Sequence, residues 1–197
     1  PLSGGRAEAR RLAALYRLDL PEVAQQLLDS DENLPPEPSH PVFVNNSVVT
    51  IASAALSLEA AADMARQAGI EAAILSDAIE GEARDVAQVH AALAREIAVR
   101  NRPFKKPVVL LSGGETTVTL RGKGRGGRNG EFLLALAIAL DGVEGVSALA
   151  GDTDGIDGSE DNAGAFVDGT TARRMREAGI DPQAALANND AYTAFEA

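Results

Sequence analysis

Cysteine and tryptophan are absent from the 197 residues, and aromatic side chains make up only 4%. Without Cys there is no disulfide framework, thiolate zinc site, iron–sulfur cluster or thiol nucleophile. The same absence suits a reducing cytosol, so a cytoplasmic location is expected. Long apolar runs are lacking as well. The longest, at 132–140, has nine residues, against the ~20 needed to span a bilayer. Positive charge is scarce, with 18 Lys and Arg against 29 Asp and Glu and a formal net charge of −11. That balance argues against a sequence-independent nucleic-acid binder, which normally carries a basic face. What is present is ordinary: 45% hydrophobic and 24% charged residues, the composition of a folded soluble domain. Neither membrane nor nucleic acid is expected among the partners.

The first 38 residues read as a helical lead-in followed by a linker. Leu12, Leu15, Leu18 and Leu20 punctuate one helical stretch, and Pro21 opens a second with Val23, Leu27 and Leu28. Pro35, Pro36, Pro38 and Pro41 then fall close together and favour extended backbone. A boundary is placed near residue 38, with an α/β domain over 39–197. Its expected elements are short strands at 42–44 and 48–51, a Ser53-capped helix ending before Gly69, and a strand at 71–75. A helix at 82–100, strands at 107–111 and 116–120, a helix at 128–140 and a strand at 146–150 follow. Helices at 170–178 and after Asp181-Pro182 complete the set. The alternation implies a layered α/β/α domain. A parallel crossover needs about a dozen residues, so the strands at 107–111 and 116–120 are expected to form a hairpin through Ser112-Gly113-Gly114-Glu115. The sheet is therefore expected to be mixed, mostly parallel with one hairpin. The start at Pro1 and the end at Ala197 within a helical stretch lead to the expectation of a fragment.

Three loops carry the chemistry. The segment 121–130, with Gly122, Gly124, Gly126, Gly127 and Gly130, holds four cations, Arg121, Lys123, Arg125 and Arg128. Its glycines would let backbone approach an anion, and the helix that follows offers free N–H groups. The bland alternative is a solvated basic loop. Gly122, Gly124 and Gly127 also match the dinucleotide fingerprint, a weak signal here because the preceding strand reads as a hairpin arm. The second loop, 151–158, places Asp152, Asp154 and Asp157 between glycines. This suits a hard cation with phosphate as co-ligand, or else turn formation alone. The third, Ser112-Gly113-Gly114-Glu115-Thr116, would present Glu115 and Thr116 only if the sheet order brings it to the others. His40 and His90 read as surface histidines, and Asn188-Asn189-Asp190 as a helix cap.

Taken together with Ala187-Asn-Asn-Asp-Ala-Tyr192, these loops resemble the C-terminal half of the glycerate 2-kinase family, formerly named hydroxypyruvate reductase. The motifs are Leu111-Ser-Gly-Gly-Glu-Thr-Thr-Val-Thr119, Gly124-Arg-Gly-Gly-Arg-Asn129 and Ala150-Gly-Asp-Thr-Asp-Gly-Ile-Asp-Gly158. From about residue 107 onward the chain resembles the family's MOFRL segment, with that segment's closing strand not included. Gly130 departs from the Gln common there. The resemblance implies a two-domain enzyme that transfers the γ-phosphoryl group of ATP to D-glycerate, with Mg²⁺ and with 2-phosphoglycerate as product. The site would lie between an N-terminal domain outside this chain and the present part, and the isolated chain would be inactive. A homodimer is compatible with this picture. On that reading Arg128 clamps a carboxylate or the transferred phosphate. Lys123, Arg125 and Asn129 assist binding. Asp152 and Asp154 hold Mg²⁺ or accept the substrate proton, with Asp157 as a third metal candidate. Glu115 and Thr116 orient substrate, and Gly113, Gly114, Gly124, Gly126 and Gly127 shape the phosphate loops. The alternatives are an NAD(P)H-dependent hydroxypyruvate reductase and a non-catalytic small-anion-binding module.

Overall fold

The computed structural model describes residues 5–32, 34, 36–37 and 39–196. The chain divides into two compact units, Pro1–Ile51 and Ala52–Ala197. The boundary expected at Pro38 lies outside the described residues. In the first unit, α1 (Gly5–Leu15) and α2 (Glu22–Asp29) bury no residue completely. Arginines tie them instead: Arg6 donates to the Ser30 carbonyl at 2.6 Å and Arg10 pairs with Asp31 at 2.8 Å. The strands expected at 42–44 and 48–51 do not form. Pro41–Phe43 is a 3₁₀ turn whose first amide donors are met by the His40 ring, and 46–53 has no regular structure. Proline at the first position presets that turn and removes a ladder donor.

The second unit is α/β, as the alternation implies. Ser53 caps α3 (Ala54–Gln67) by accepting from the Leu56 amide at 3.2 Å. Next come β1 (Glu71–Glu82), α4 (Ala83–Arg100) and β2 (Val108–Thr117). β1 and β2 pair in parallel from Glu71↔Val108 to Glu82↔Thr117, with register shifts around Ser76. This is one βαβ unit with α4 as its crossover. The hairpin expected through 112–115 is therefore wrong: those residues run straight through β2. The glycines serve close approach rather than a turn. Gly114 has φ +148° opposite Ile79, and a Cβ there would lie 2.0 Å from the Ile79 carbonyl oxygen. Among the described residues the one antiparallel pair lies further along, where β3 (Ser147–Gly151) meets β4 (Gly164–Asp168) in a separate two-stranded sheet. β4 was not expected from sequence.

Between α4 and the β3–β4 pair runs α5 (Arg128–Ala139), whose 132–139 stretch is apolar on every side and largely buried. Leu133, Leu134, Ala135 and Ala137 are fully buried, and Leu136 and Leu140 nearly so. Ala87 and Ala91 let α4 approach one side, and Val167 of β4 packs beside them. Met175 of α6 (Thr171–Glu177) and Ala191 and Ala194 of α8 (Ala191–Glu196) close another side, with α7 (Pro182–Ala187) alongside. No described helix is long and apolar enough to cross a membrane.

One buried charge sits in this packing. Glu131 on α5 is 2% exposed. It accepts from Arg84 Nε at 2.9 Å and from Asn189 Nδ2 at 2.8 Å. Arg84 in turn donates to the Leu186 carbonyl at 3.2 Å. α4, α5 and the 188–190 turn are thus held by one polar network. Glu131→Leu leaves the Arg84 cation and the Asn189 amide unpaired inside. It should cost about 3–5 kcal/mol in urea unfolding, and Arg84→Met added to it should recover much of that loss. At the surface, the Thr170 hydroxyl and amide hold the Asp168 carboxyl down from its ordinary 3.8 to about 2. A depressed carboxylate stabilises above its unfolded pKa, so this contribution is present above about pH 4 and fades as pH falls toward 2. Thr170→Val should move the Asp168 titration upward, as read by carboxyl NMR.

Candidate functional site

An α-helix leaves its first amides without internal partners. In α5 this end is buried, and the carboxylate of Asp157, itself 1% exposed, closes it. Asp157 accepts from the Asn129 amide at 2.9 Å, the Gly130 amide at 2.7 Å and Asn129 Nδ2 at 3.3 Å. The fit admits no side chain at the N-cap, since a Cβ on Gly127 would lie 2.4 Å from Asp157 Oδ1. The 152–163 loop is closed on itself by Asp152 N to Ala163 O and Asp157 N to Asn162 O, both 2.7 Å. Docked this way, it delivers Asp152 to Arg128, the first residue of α5.

Arg128 Nη2 meets Asp152 Oδ2 at 2.8 Å, and Nη1 pairs with Glu115 of β2. Three segments far apart in sequence therefore converge on one guanidinium. The pair with Asp152 is the more sheltered; Glu115 is 71% exposed. These residues open on a cleft of about 1240 Å³, which Thr116, Asn129, Gly113 and Gly114 also line. Its far wall includes Ser53 and Ser57 at the start of α3.

Other expected site residues go elsewhere. Lys123 and Arg125 are exposed and do not line the cleft. Arg125 pairs with Glu160 and covers the Tyr192 ring at 4.4 Å. Nor does the glycine loop offer free amides to a phosphate along 121–125. Asn189 Oδ1 takes the amides of Arg121 at 2.7 Å and Gly122 at 3.0 Å. Asn188 Oδ1 takes that of Lys123 at 3.2 Å, and Asp190 Oδ1 that of Arg125 at 2.9 Å. Gly124 donates to the Asn188 carbonyl at 2.9 Å. A Cβ on Gly122 would fall 2.3 Å from that same oxygen, so the glycine allows the loop to lie against the turn. Gly126 and Gly127 likewise pack on the 191–192 and 157 backbones. The Asn-Asn-Asp triplet is more than a helix cap: together its three residues hold the backbone of 121–125, with Asn189 at φ +55° and 5% exposed.

The acidic loop is also split. Asp152 faces the cleft. Asp154 turns back to accept from the Ile156 amide at 2.9 Å, and Asp157 is spent on α5. The expected Asp152–Asp154–Asp157 metal set is not assembled; among the described residues no group of three or more His, Cys, Asp or Glu could hold an ion. His90 is the residue sequence reasoning missed. It lines the cleft and contacts Ser112 Oγ at 3.0 Å. Its only local signal was its place four residues after Val86 on the helix face.

The chain is similar to proteins of known family and fold. Residues 108–197 match the MOFRL family. A protein of Agrobacterium vitis named "Putative hydroxypyruvate reductase" is 49% identical over 96% of this chain and 49% of its own length. The D-glycerate 2-kinase of Thermotoga maritima is 43% identical over 69% of this chain and 33% of its own. The crystal structure of a glycerate kinase from Thermotoga maritima superposes over 100% of this chain and 46% of that one, with a TM-score of 0.86 and 35% identity. The chain thus spans about half the length or less of these relatives. Asp157→Ala should leave two amides unpaired at the start of α5 and cost about 1–3 kcal/mol in chemical unfolding.

Proposed function

We propose that this chain, whose residues 108–197 match the MOFRL family, is the C-terminal part of a glycerate 2-kinase and supplies one wall of a phosphoryl-transfer site acting on D-glycerate with ATP. The observation that carries the reading is Arg128, held at the cleft between Asp152 and Glu115. Phosphoryl transfer asks the protein mainly for positioning and charge stabilisation. A guanidinium presents a planar fork to carboxylate or phosphate. Asp152 keeps that fork oriented. Glu115 lies on the solvent side, so an arriving anion can displace it and take over its place on Nη1.

A Mg²⁺ ion fits this wall only in company. One or two carboxylates suffice when phosphate oxygens and water complete the octahedron. Asp152, which lines the cleft, is the side chain that would hold it, since Asp154 is turned back to the Ile156 amide. The ion would supply charge neutralisation on the transferred group. Glu115, Thr116 and Asn129 line the same cleft and are assigned to orienting the substrate. Lys123 and Arg125 are not assigned to it, because both lie away from the cleft.

The name carried by the Agrobacterium relative favours a second reading, a nicotinamide-dependent reductase. The dinucleotide-like glycines count against it, since Gly122 and Gly124 donate their amides to the 188–190 turn. ADP formation dependent on D-glycerate by the full-length protein supports the kinase; NADH oxidation dependent on hydroxypyruvate without ATP supports the reductase. In the kinase, Arg128→Ala should lower kcat/KM by about 100-fold or more. Arg128→Lys should recover little, because a point charge does not reproduce the fork. Unchanged kinetics in Arg128→Ala would remove this residue from the mechanism.

A further inference from the structure

The ring of His90 is fixed from two sides. Nδ1 lies 2.9 Å from the Val86 carbonyl one turn back on α4, and the Phe132 ring of α5 stands edge-on at 5.2 Å and 82°. A carbonyl oxygen only accepts, so Nδ1 carries a proton. In the neutral ring Nε2 is then a bare acceptor. Ser112 Oγ lies 3.0 Å from Nε2, so the serine hydroxyl donates its hydrogen there. Ser112 is exposed on β2, and both residues line the cleft that holds Arg128. Once its hydrogen is committed to His90, the serine oxygen has only lone pairs to turn toward a ligand. Arg128 offers only donors. The cleft therefore presents two unlike recognition points, a cation for an anionic group and an acceptor for a hydroxyl.

We propose that Ser112 is a ligand-binding residue that accepts a hydroxyl O–H of a small hydroxy acid, and that His90 is its positioning residue. This deepens the kinase reading and rests on it: the carboxylate or phosphoryl end belongs to Arg128 and a hydroxyl to Ser112. A site built to pair a hydroxyl discriminates strongly against ligands lacking it, because its own polar group is otherwise left unpaired.

The test uses the full-length protein. Ser112→Ala should raise the KM for D-glycerate about 10-fold or more while leaving the KM for ATP unchanged. His90→Leu removes the acceptor at similar size and should reproduce that pattern. His90→Gln can place its amide oxygen where Nε2 stood and should restore most of the glycerate KM. A purely structural role for His90 would lower thermal stability and disturb both KM values, and Gln would not rescue it. Independently, ¹⁵N imidazole spectra at about pH 8, where an imidazole is ordinarily neutral, should show the proton of His90 on Nδ1. They should also show an Nε2 resonance that shifts in Ser112→Ala. A glycerate KM unmoved by Ser112→Ala, or a proton found on Nε2, overturns the proposal. If the wild type makes no ADP with D-glycerate, the kinase reading fails and the named ligand with it. The imidazole spectrum separates that outcome from failure of the His90–Ser112 pair itself.

Discussion

The cleft depends on how the buried start of α5 is closed. A helix N-terminus inside a protein needs acceptors for its amides, and here one carboxylate provides them. Asp157 takes the amides of Asn129 and Gly130, where the positive end of the helix dipole also favours it. A buried carboxylate is costly without such partners, so the two groups require each other. Gly127 leaves room for the contact. With the acidic loop strapped to the helix, Asp152 can reach Arg128 only one way, and the guanidinium is left facing the cleft.

A second buried carboxylate organises the other end of the same loop region. Glu131, one turn into α5, holds Arg84 and Asn189 together. Asn189 then gathers the backbone of 121–122. The basic glycine loop thereby becomes part of the scaffold. Its amides are bonded inward while Arg125 spends its charge on Glu160 and Tyr192. The net charge of −11 still hides positive charge at the cleft, but among the described residues it is supplied by Arg128 and not by the whole basic run.

Much of the architecture was legible in the sequence. Helices α3, α4 and α5 and the start of β1 follow from apolar periodicity, the Ser53 cap and the glycines that stop helices. The failures share one cause. A glycine pair between two apolar runs looks the same whether it makes a turn or lets two strands approach. The choice at Gly113 and Gly114 was made by β1, which extends to Glu82 and pairs with β2 throughout. The β-branched stretch at 42–51, entered through Pro41, formed no strand. Among site residues, Glu115, Arg128 and Asp152 stand together, a convergence that residue order left open, whereas Asp157, Lys123 and Arg125 do not line the cleft.

The MOFRL resemblance, the α/β class and the three polar loops were readable from residue order, because these rest on local pattern and on motifs taken together. Which polar groups face the cleft was settled by packing. A side chain's use depends on the nearest unsatisfied donor or acceptor, and for this protein those partners lie up to 102 residues away along the chain, as with Arg84 and Leu186. Buried polar groups find at least one partner, and a group so used is not free for a ligand. What remains uncommitted at the cleft, Arg128 with its displaceable Glu115 and Ser112 backed by His90, is what the fold leaves available for a ligand.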